Sequence, residues 1–232
     1  MKFWKQCYQG LLDLFQQSQC PLCQRPTATD FCTYCQKQLK RCQIAQPEKF
    51  WGNDFPVFPW GTYNGSLKRA LWALKYDKQP KIAQPLGFWL GETWLKSRLN
   101  LGKNLIVVPI PLHPNKLQIR GFNQAELLAA SFCQITNIPL QKDGLERISQ
   151  TEALHSKSAI ERRESLVGAF KIGKGFRQRH PKAEVLLLDD IYTTGATALE
   201  AADTLRKSNI KVCGIVAIAT SEKFVAQSLT LR

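Results

Sequence analysis

The sequence predicts an α/β fold, a parallel sheet flanked by helices, with a small N-terminal four-cysteine module in front of it. Short apolar runs of strand length, near Val57–Tyr63 and at Leu105–Val108, Val185–Leu188 and Val212–Ala219, alternate with longer segments of helical periodicity. Alternation of this kind builds a parallel sheet through right-handed crossovers. Ahead of it, Cys20, Cys23, Cys32 and Cys35 form two CxxC pairs. The chain therefore reads as residues 1–50, a helix and metal-binding module, and residues 51–232, the α/β body.

Composition supports a buried core, since 44% of the 232 residues are hydrophobic, among them 12 Phe and 6 Trp. No apolar run approaches the roughly 18 residues of a membrane span. Asp13 interrupts the apolar residues of the N-terminus and no small-residue cleavage site follows, so a secretory signal is not expected and a cytoplasmic location is. The net charge is +14, with 14 Lys/Arg against 6 Asp/Glu in residues 1–100 and 18 against 12 in residues 101–232. A positive field spread over both halves attracts polyphosphates and nucleic acid alike.

Taken in order, Phe3, Cys7, Leu11 and Phe15 recur at helical spacing. They predict a short amphipathic helix that docks on the protein's own body, with a membrane-surface or partner-binding helix as the alternative. Next comes CPLCQRPTATDFCTYC. Eight cysteines in a cytoplasmic chain argue for metal or thiols rather than disulfides. Two knuckles can set four thiolates tetrahedrally around Zn2+, a closed structural site, with Phe31 and Tyr34 placed to cover it. The Pro-, Gly- and aromatic-rich stretch from Pro47 leads into the first main strand. Gly65–Tyr76 reads as a helix with Leu67, Leu71 and Leu74 inward and Lys68, Arg69 and Lys75 outward, a basic face that either meets phosphate or is solvated. A second helix is expected from Ala83 to about Arg98, burying Leu86, Leu90 and Trp94.

The strand Leu105–Val108 feeds Pro109–Pro114, where three prolines exclude helix and shape a rigid loop. Lys116 and Arg120 follow at the start of a helix that runs through Ala125–Phe132. Pro111, Leu112, His113, Lys116 and Arg120 together suit a pyrophosphate, arginine offering a bidentate fork. His113 is either a structural or phosphate contact, or an acid–base group. The basic run Lys174, Arg177, Arg179, His180 and Lys182 is either a solvated loop or a nucleic-acid contact.

The stretch VLLLDDIYTTGAT, residues 185–197, carries the most chemistry. An apolar strand ends in Asp189 and Asp190; Thr193, Thr194, Gly195, Ala196 and Thr197 make a small-residue turn; then a helix starts, with Leu199, Ala202 and Leu205 on one face. Loop N–H groups at a helix N-terminus favour a phosphate dianion, and Gly195 lets the backbone approach it. The carboxylates can accept from the two hydroxyls of a ribose at the end of a parallel strand, where such ligands bind. This run resembles the phosphoribosyl-pyrophosphate (PRPP) motif of type I phosphoribosyltransferases. The last residues of the chain are expected to form an edge element.

A second resemblance is broader. VPIPLHPNKLQIRGFNQAELLA, the helix ending Leu74-Lys75-Tyr76 and the preceding four cysteines resemble the ComF family, in which a zinc segment precedes a type I phosphoribosyltransferase domain; the likeness covers nearly the whole chain. Residues 145–170 resemble the family's hood loop: Arg147, Thr151, Arg162 and Gly168-Ala169-Phe170 fit, whereas Leu154, Lys157 and Ser165 replace the usual Gln, Leu and Asn. These departures point either to loss of the family's activity or to a different acceptor. The resemblance implies PRPP bound with Mg2+ at Asp189, Asp190 and Thr193–Thr197, with Asp189 and Asp190 as the catalytic pair. It implies pyrophosphate on the proline loop, transfer to a nitrogen base, and a role in natural competence beside DNA-uptake proteins. Two other readings stand beside it: a non-catalytic PRPP or nucleotide sensor that binds single-stranded DNA through aromatics and cations (Trp51, Trp60, Tyr63, Lys68, Arg69), and nucleobase salvage.

Overall fold

The computed structural model describes residues 18–52, 54–97, 99, 104–149, 166–177 and 182–230. The helix expected around Phe3–Phe15 lies outside them. So do Thr151, Leu154, Lys157, Arg162 and Ser165 of the expected hood loop, and Arg179 and His180.

The described chain begins with β1 (Ser18–Gln19), β2 (Pro26–Thr27) and α1 (Thr33–Lys40), followed by a 3-10 turn at Pro47–Gly52. Then come β3 (Val57–Thr62), α2 (Gly65–Tyr76), α3 (Ala83–Lys96), β4 (Leu105–Pro109), α4 (Pro114–Arg120) and α5 (Gln124–Thr136). The rest is β5 (Leu145–Arg147), β6 (Phe170–Ile172), α6 (Lys174–Arg177), β7 (Glu184–Tyr192), α7 (Ala196–Lys207), β8 (Val212–Thr220) and α8 (Glu222–Thr230).

The central sheet is four-stranded and parallel throughout, in the order β3-β8-β7-β4. Its strands are apolar on both faces because both faces are covered. Leu186 and Leu188 of β7 join one buried cluster with Leu67, Leu71 and Leu74 of α2, Leu86 and Leu90 of α3, and Leu128 and Phe132 of α5. Phe31 and Leu39 of the N-terminal segment belong to that same cluster. Val185 and Leu187, one residue out of phase, face Ala201, Ala202 and Leu205 of α7 and Leu145, Phe170 and Phe176. α3 and α5 pack to backbone contact, for a Cβ at Gly87 would lie 2.6 Å from the Leu128 carbonyl oxygen. The free edge of β3 is covered by the residues after α1: Ile44 N–H donates to Trp60 at 2.9 Å, and Thr62 N–H to Cys42 at 2.9 Å.

Four local expectations are corrected. β7 does not stop at the acidic pair; its ladder with β8 continues through Ile191↔Ala219 and Tyr192↔Thr220, so both carboxylates sit on strand backbone. Pro114 is helical, as the first residue of α4, where a missing N–H costs nothing and the ring fits the helical φ. α3 ends at Lys96. The last described residues form a helix, α8, rather than an edge element of the sheet: Phe224 N–H donates to Ser221 Oγ at 3.2 Å, and the Phe224 ring packs on Phe50 and Tyr192 at 5.6 and 5.0 Å.

Candidate ligand cleft and cysteine cluster

All four strands end on one side, and a cleft of about 390 Å³ lies there. Asp189 and Asp190 reach it from β7. The loop residues Thr193, Thr194, Ala196 and Thr197 reach it from the start of α7, Pro111 and Leu112 from the loop after β4, and Arg147 from β5. Gly195 has φ +77° and caps α7; a Cβ there would run into the ring of Tyr192, with Cζ at 2.9 Å. Only glycine fits that turn without strain.

The proline loop is tied down at both ends. Ile110 N–H donates to the Leu188 carbonyl at 2.9 Å, continuing the β4–β7 ladder, and its own carbonyl accepts from Asn123 Nδ2 at 3.1 Å. Asn123 also caps α5 by accepting from Ala125 N–H at 3.1 Å. His113 caps α4, its Nδ1 accepting the N–H of Asn115 at 3.2 Å. Pro111 and Leu112 line the cleft, whereas His113, Lys116 and Arg120 are not among its described lining residues.

Being consecutive on a strand, the two carboxylates turn to opposite sides. Asp190 is buried, 3% exposed. Its Oδ2 is ion-paired with the ammonium of Lys75, and its Oδ1 accepts from Gln124 Nε2 at 3.3 Å. Gln124 in turn accepts from Arg120, and the Arg120 guanidinium lies 5.6 Å over the Tyr76 ring. Asp189 is less enclosed; its Oδ1 accepts the N–H of Asp190 at 2.8 Å, and it borders both the cleft and the small hollow of about 30 Å³ inside the Thr193–Thr197 loop. Burial, and then the adjacent charge of Asp190, hold the Asp189 carboxyl well above the usual carboxylate range. Burial works to lower Lys75, but the carboxylate of Asp190 outweighs it and keeps the ammonium above the ordinary lysine value. Lys116 is pushed down, by partial burial first and then by the charges of Arg147, Arg120 and Lys75. Four cations thus gather around this strand end.

Sequence reasoning placed Lys75 outward; it instead points into the cleft, because the last turn of α2 passes over the end of β7. Gln124, Tyr63, Trp72, Tyr76 and Leu166 also line the cleft and were not anticipated there. The ending Leu74-Lys75-Tyr76 was the signal within reach. Of the aromatics read as stacking groups, Trp60 is wholly buried and so closed to a ligand, and Trp51 is half-buried and packs edge-on against Trp94 at 5.4 Å. The exposed aromatic beside Lys68 and Arg69 is Trp72, 54% exposed and 4.4 Å from Tyr76.

The Sγ atoms of Cys20, Cys23, Cys32 and Cys35 lie within 4.8 Å of one another. The first knuckle is a turn in which Cys23 and Gln24 N–H both donate to the Cys20 carbonyl, at 3.3 and 2.8 Å. The second is the start of α1, where the Cys35 N–H lowers the Cys32 thiol to about 7. Four sulfur donors at this spacing fit a tetrahedral S4 metal site, the donor set zinc prefers. Phe31 is buried in one cluster with Cys20 and Cys35 and lies 5.8 Å from Trp89; Tyr34 is exposed, under Arg25. Among the described residues no helix is long and apolar enough to cross a membrane.

No family model matches the chain. It is 26% identical over 210 residues to competence protein F of Haemophilus influenzae, covering 87% of this chain and 90% of that protein. It is 27% identical over 198 residues to the DNA utilization protein YhgH of Escherichia coli, covering 82% and 84%. To competence protein ComFC of Bacillus subtilis it is 30% identical over 182 residues, 77% of this chain and 67% of that one. Among solved structures, adenine phosphoribosyltransferase of Leishmania donovani aligns over 84% of this chain and 71% of that one, at 16% identity and a TM-score of 0.39. The Trypanosoma brucei adenine phosphoribosyltransferase, in complex with AMP, pyrophosphate and ribose-5-phosphate, covers 84% and 70% at 12% identity and 0.38. At those scores the structural likenesses carry no weight for the ligand, whereas the identity to ComFC extends over most of both chains: this chain belongs to the ComF family.

Proposed function

We propose that the chain binds PRPP in the cleft at the end of β7 and is a phosphoribosyltransferase-like protein that serves DNA uptake. The observation that carries the reading is the junction of β7 and α7, where a carboxylate pair, a glycine-turned hydroxyl loop and a helix N-terminus border one cleft with Arg147 and the proline loop. The 5-phosphate would take the N–H groups of Thr193–Thr197 and the helix N-terminus. Asp189 and Asp190 would accept from the ribose diol, and Pro111, Leu112 and His113, with Lys116 and Arg120 behind them, would seat the pyrophosphate. A nitrogen nucleophile would attack C1 as its bond to the pyrophosphate oxygen breaks, and the residues would act by positioning and charge. Mg2+ arriving with PRPP would offset the negative charge of the pyrophosphate. Zn2+ would be held by Cys20, Cys23, Cys32 and Cys35 as a structural ion. The DNA connection is supported by the names of the relatives, competence and DNA utilization proteins.

Calorimetry with PRPP and Mg2+ tests the assignment. Saturable binding that Asp190→Ala abolishes is expected; absence of binding, or binding unchanged in that variant, rejects it. Pyrophosphate release on adding nucleobases then separates a transferase from a sensor.

A second reading, direct binding of single-stranded DNA, is favoured by one surface feature. A shallow groove of about 390 Å³ is lined by Pro21, Leu22, Lys68, Arg69, Trp72 and Asp77, with Trp72 shared between it and the cleft. An exposed indole beside two cations is a stacking platform of the kind single strands use. Affinity for an oligonucleotide should fall steeply with salt and drop in Trp72→Ala; a flat salt response rejects this reading.

A further inference from the structure

The ligand assignment leaves Lys75 without a role, although it is ion-paired with one of the two acidic residues. α2 approaches the sheet end so that its last turn forms one wall of the cleft, with Trp72 and Tyr76 beside Lys75. The ammonium is held against Asp190 Oδ2, while the other oxygen of Asp190 is taken by Gln124 at 3.3 Å. Each oxygen of Asp190 thus has one protein partner and keeps a lone pair for a ligand hydroxyl. Asp189 keeps one oxygen clear of the Asp190 N–H and faces the hollow of the Thr193–Thr197 loop. The two carboxylates are not equivalent: Asp189 is turned to the sugar-phosphate side, and Asp190 is turned to a cation.

We propose that Lys75 is a ligand-contacting cation of the cleft, which Asp190 and Gln124 hold on the cleft wall so that its ammonium meets the diphosphate arm of a phosphoribosyl ligand. This rests on the PRPP reading and deepens it. A lysine ammonium has three donors and one is spent on Asp190, so two remain for anionic oxygens. Proximity to Arg147 on the same cleft, and to Arg120 through Gln124, makes a diphosphate the best match for the combined charge. A single phosphate already has the α7 N-terminus; an anion carrying two further phosphoryl groups in tandem uses these cations as well.

The test is calorimetric titration of the full chain, with Mg2+ present, by PRPP, pyrophosphate and ribose 5-phosphate in turn. Lys75→Met is expected to weaken PRPP and pyrophosphate about 10- to 100-fold, the span of one charge-assisted hydrogen bond, and ribose 5-phosphate less than about 3-fold. Lys75→Arg, which keeps the charge, should recover part of the loss. If Lys75→Met does not fold, the same comparison is made between Asp190→Asn and the Lys75→Met/Asp190→Asn pair, where loss of the lysine must still weaken pyrophosphate by about 5-fold or more. Equal weakening of all three ligands, or no weakening of pyrophosphate, overturns the inference and leaves the PRPP reading standing. A wild-type chain that binds neither PRPP nor pyrophosphate overturns both.

Discussion

Gln124 donates from Nε2 to Asp190 Oδ1 at 3.3 Å while its Oε1 accepts from Arg120, so a single amide fixes an acid on the sheet and a base on α4. Gln124 is itself buried, at the first turn of α5. Replacing it with Leu removes a partner from each charged neighbour and supplies none. Gln124→Leu should therefore lose about 1–3 kcal/mol in urea denaturation, and PRPP affinity should fall with it because Asp190 is no longer oriented. A Leu variant as stable as the wild type would show that the bridge carries no energy.

Asp189 gives a pH signature. Burial and the charge of Asp190 raise its carboxyl in the folded chain, so the folded state keeps this proton to higher pH than the unfolded one. The sign follows: its contribution to stability is fully present below the unfolded value of about 4 and is lost as pH rises through the folded value. Asp189→Asn removes the group. Its melting temperature should rise relative to wild type as pH goes from about 4 to 8, while PRPP binding weakens for want of the carboxylate acceptor. Melting curves at several pH values check this, and a difference independent of pH would contradict it.

Much of this arrangement was legible in the sequence because it is local. The extent of α2 follows from the spacing of Leu67, Leu71 and Leu74, and the Asp189–Thr197 order places strand, loop and helix within one continuous stretch. Lys75 was misplaced because helical periodicity says which face is buried but not which partner lies beyond the helix end. Only the tertiary path of α2 across β7 decides that. Trp60 and Trp72 show the same limit: the sequence offers Trp60 as a stacking aromatic, but it is buried against Trp89 of α3, while Trp72 on α2 is the one left exposed. The role of Gln124 was beyond reach, since its partner Asp190 lies 66 positions away along the chain.

Gly195 offers a separate test of the phosphate loop. Its φ of +77° and the contact a Cβ would make with Tyr192 both exclude an L side chain without movement. Gly195→Ala should cost about 1–3 kcal/mol of stability. Because strain is relieved by shifting the loop, affinity for ribose 5-phosphate should fall at least as much as affinity for pyrophosphate. That is the opposite of the pattern expected for Lys75→Met, so the two variants measured side by side divide the cleft into its two halves.

The cysteine cluster makes the last prediction. Phe31 packs 5.8 Å from Trp89, Lys40 sits 4.1 Å over the same indole, and Phe31, Cys35 and Leu39 are part of the buried cluster that holds α2 and α3. With so little core of its own, the segment from Cys20 to Cys35 would rely on its metal, whose binding supplies about 10 kcal/mol or more in small zinc modules. Metal analysis should find close to one zinc per chain, and far less in Cys20→Ser/Cys35→Ser. Because those side chains are shared with the body, stripping zinc with a chelator should lower the melting temperature of the whole protein and shift tryptophan fluorescence through Trp89. A chelated chain that melts at the wild-type temperature would show that the cluster is energetically separate from the sheet it packs on.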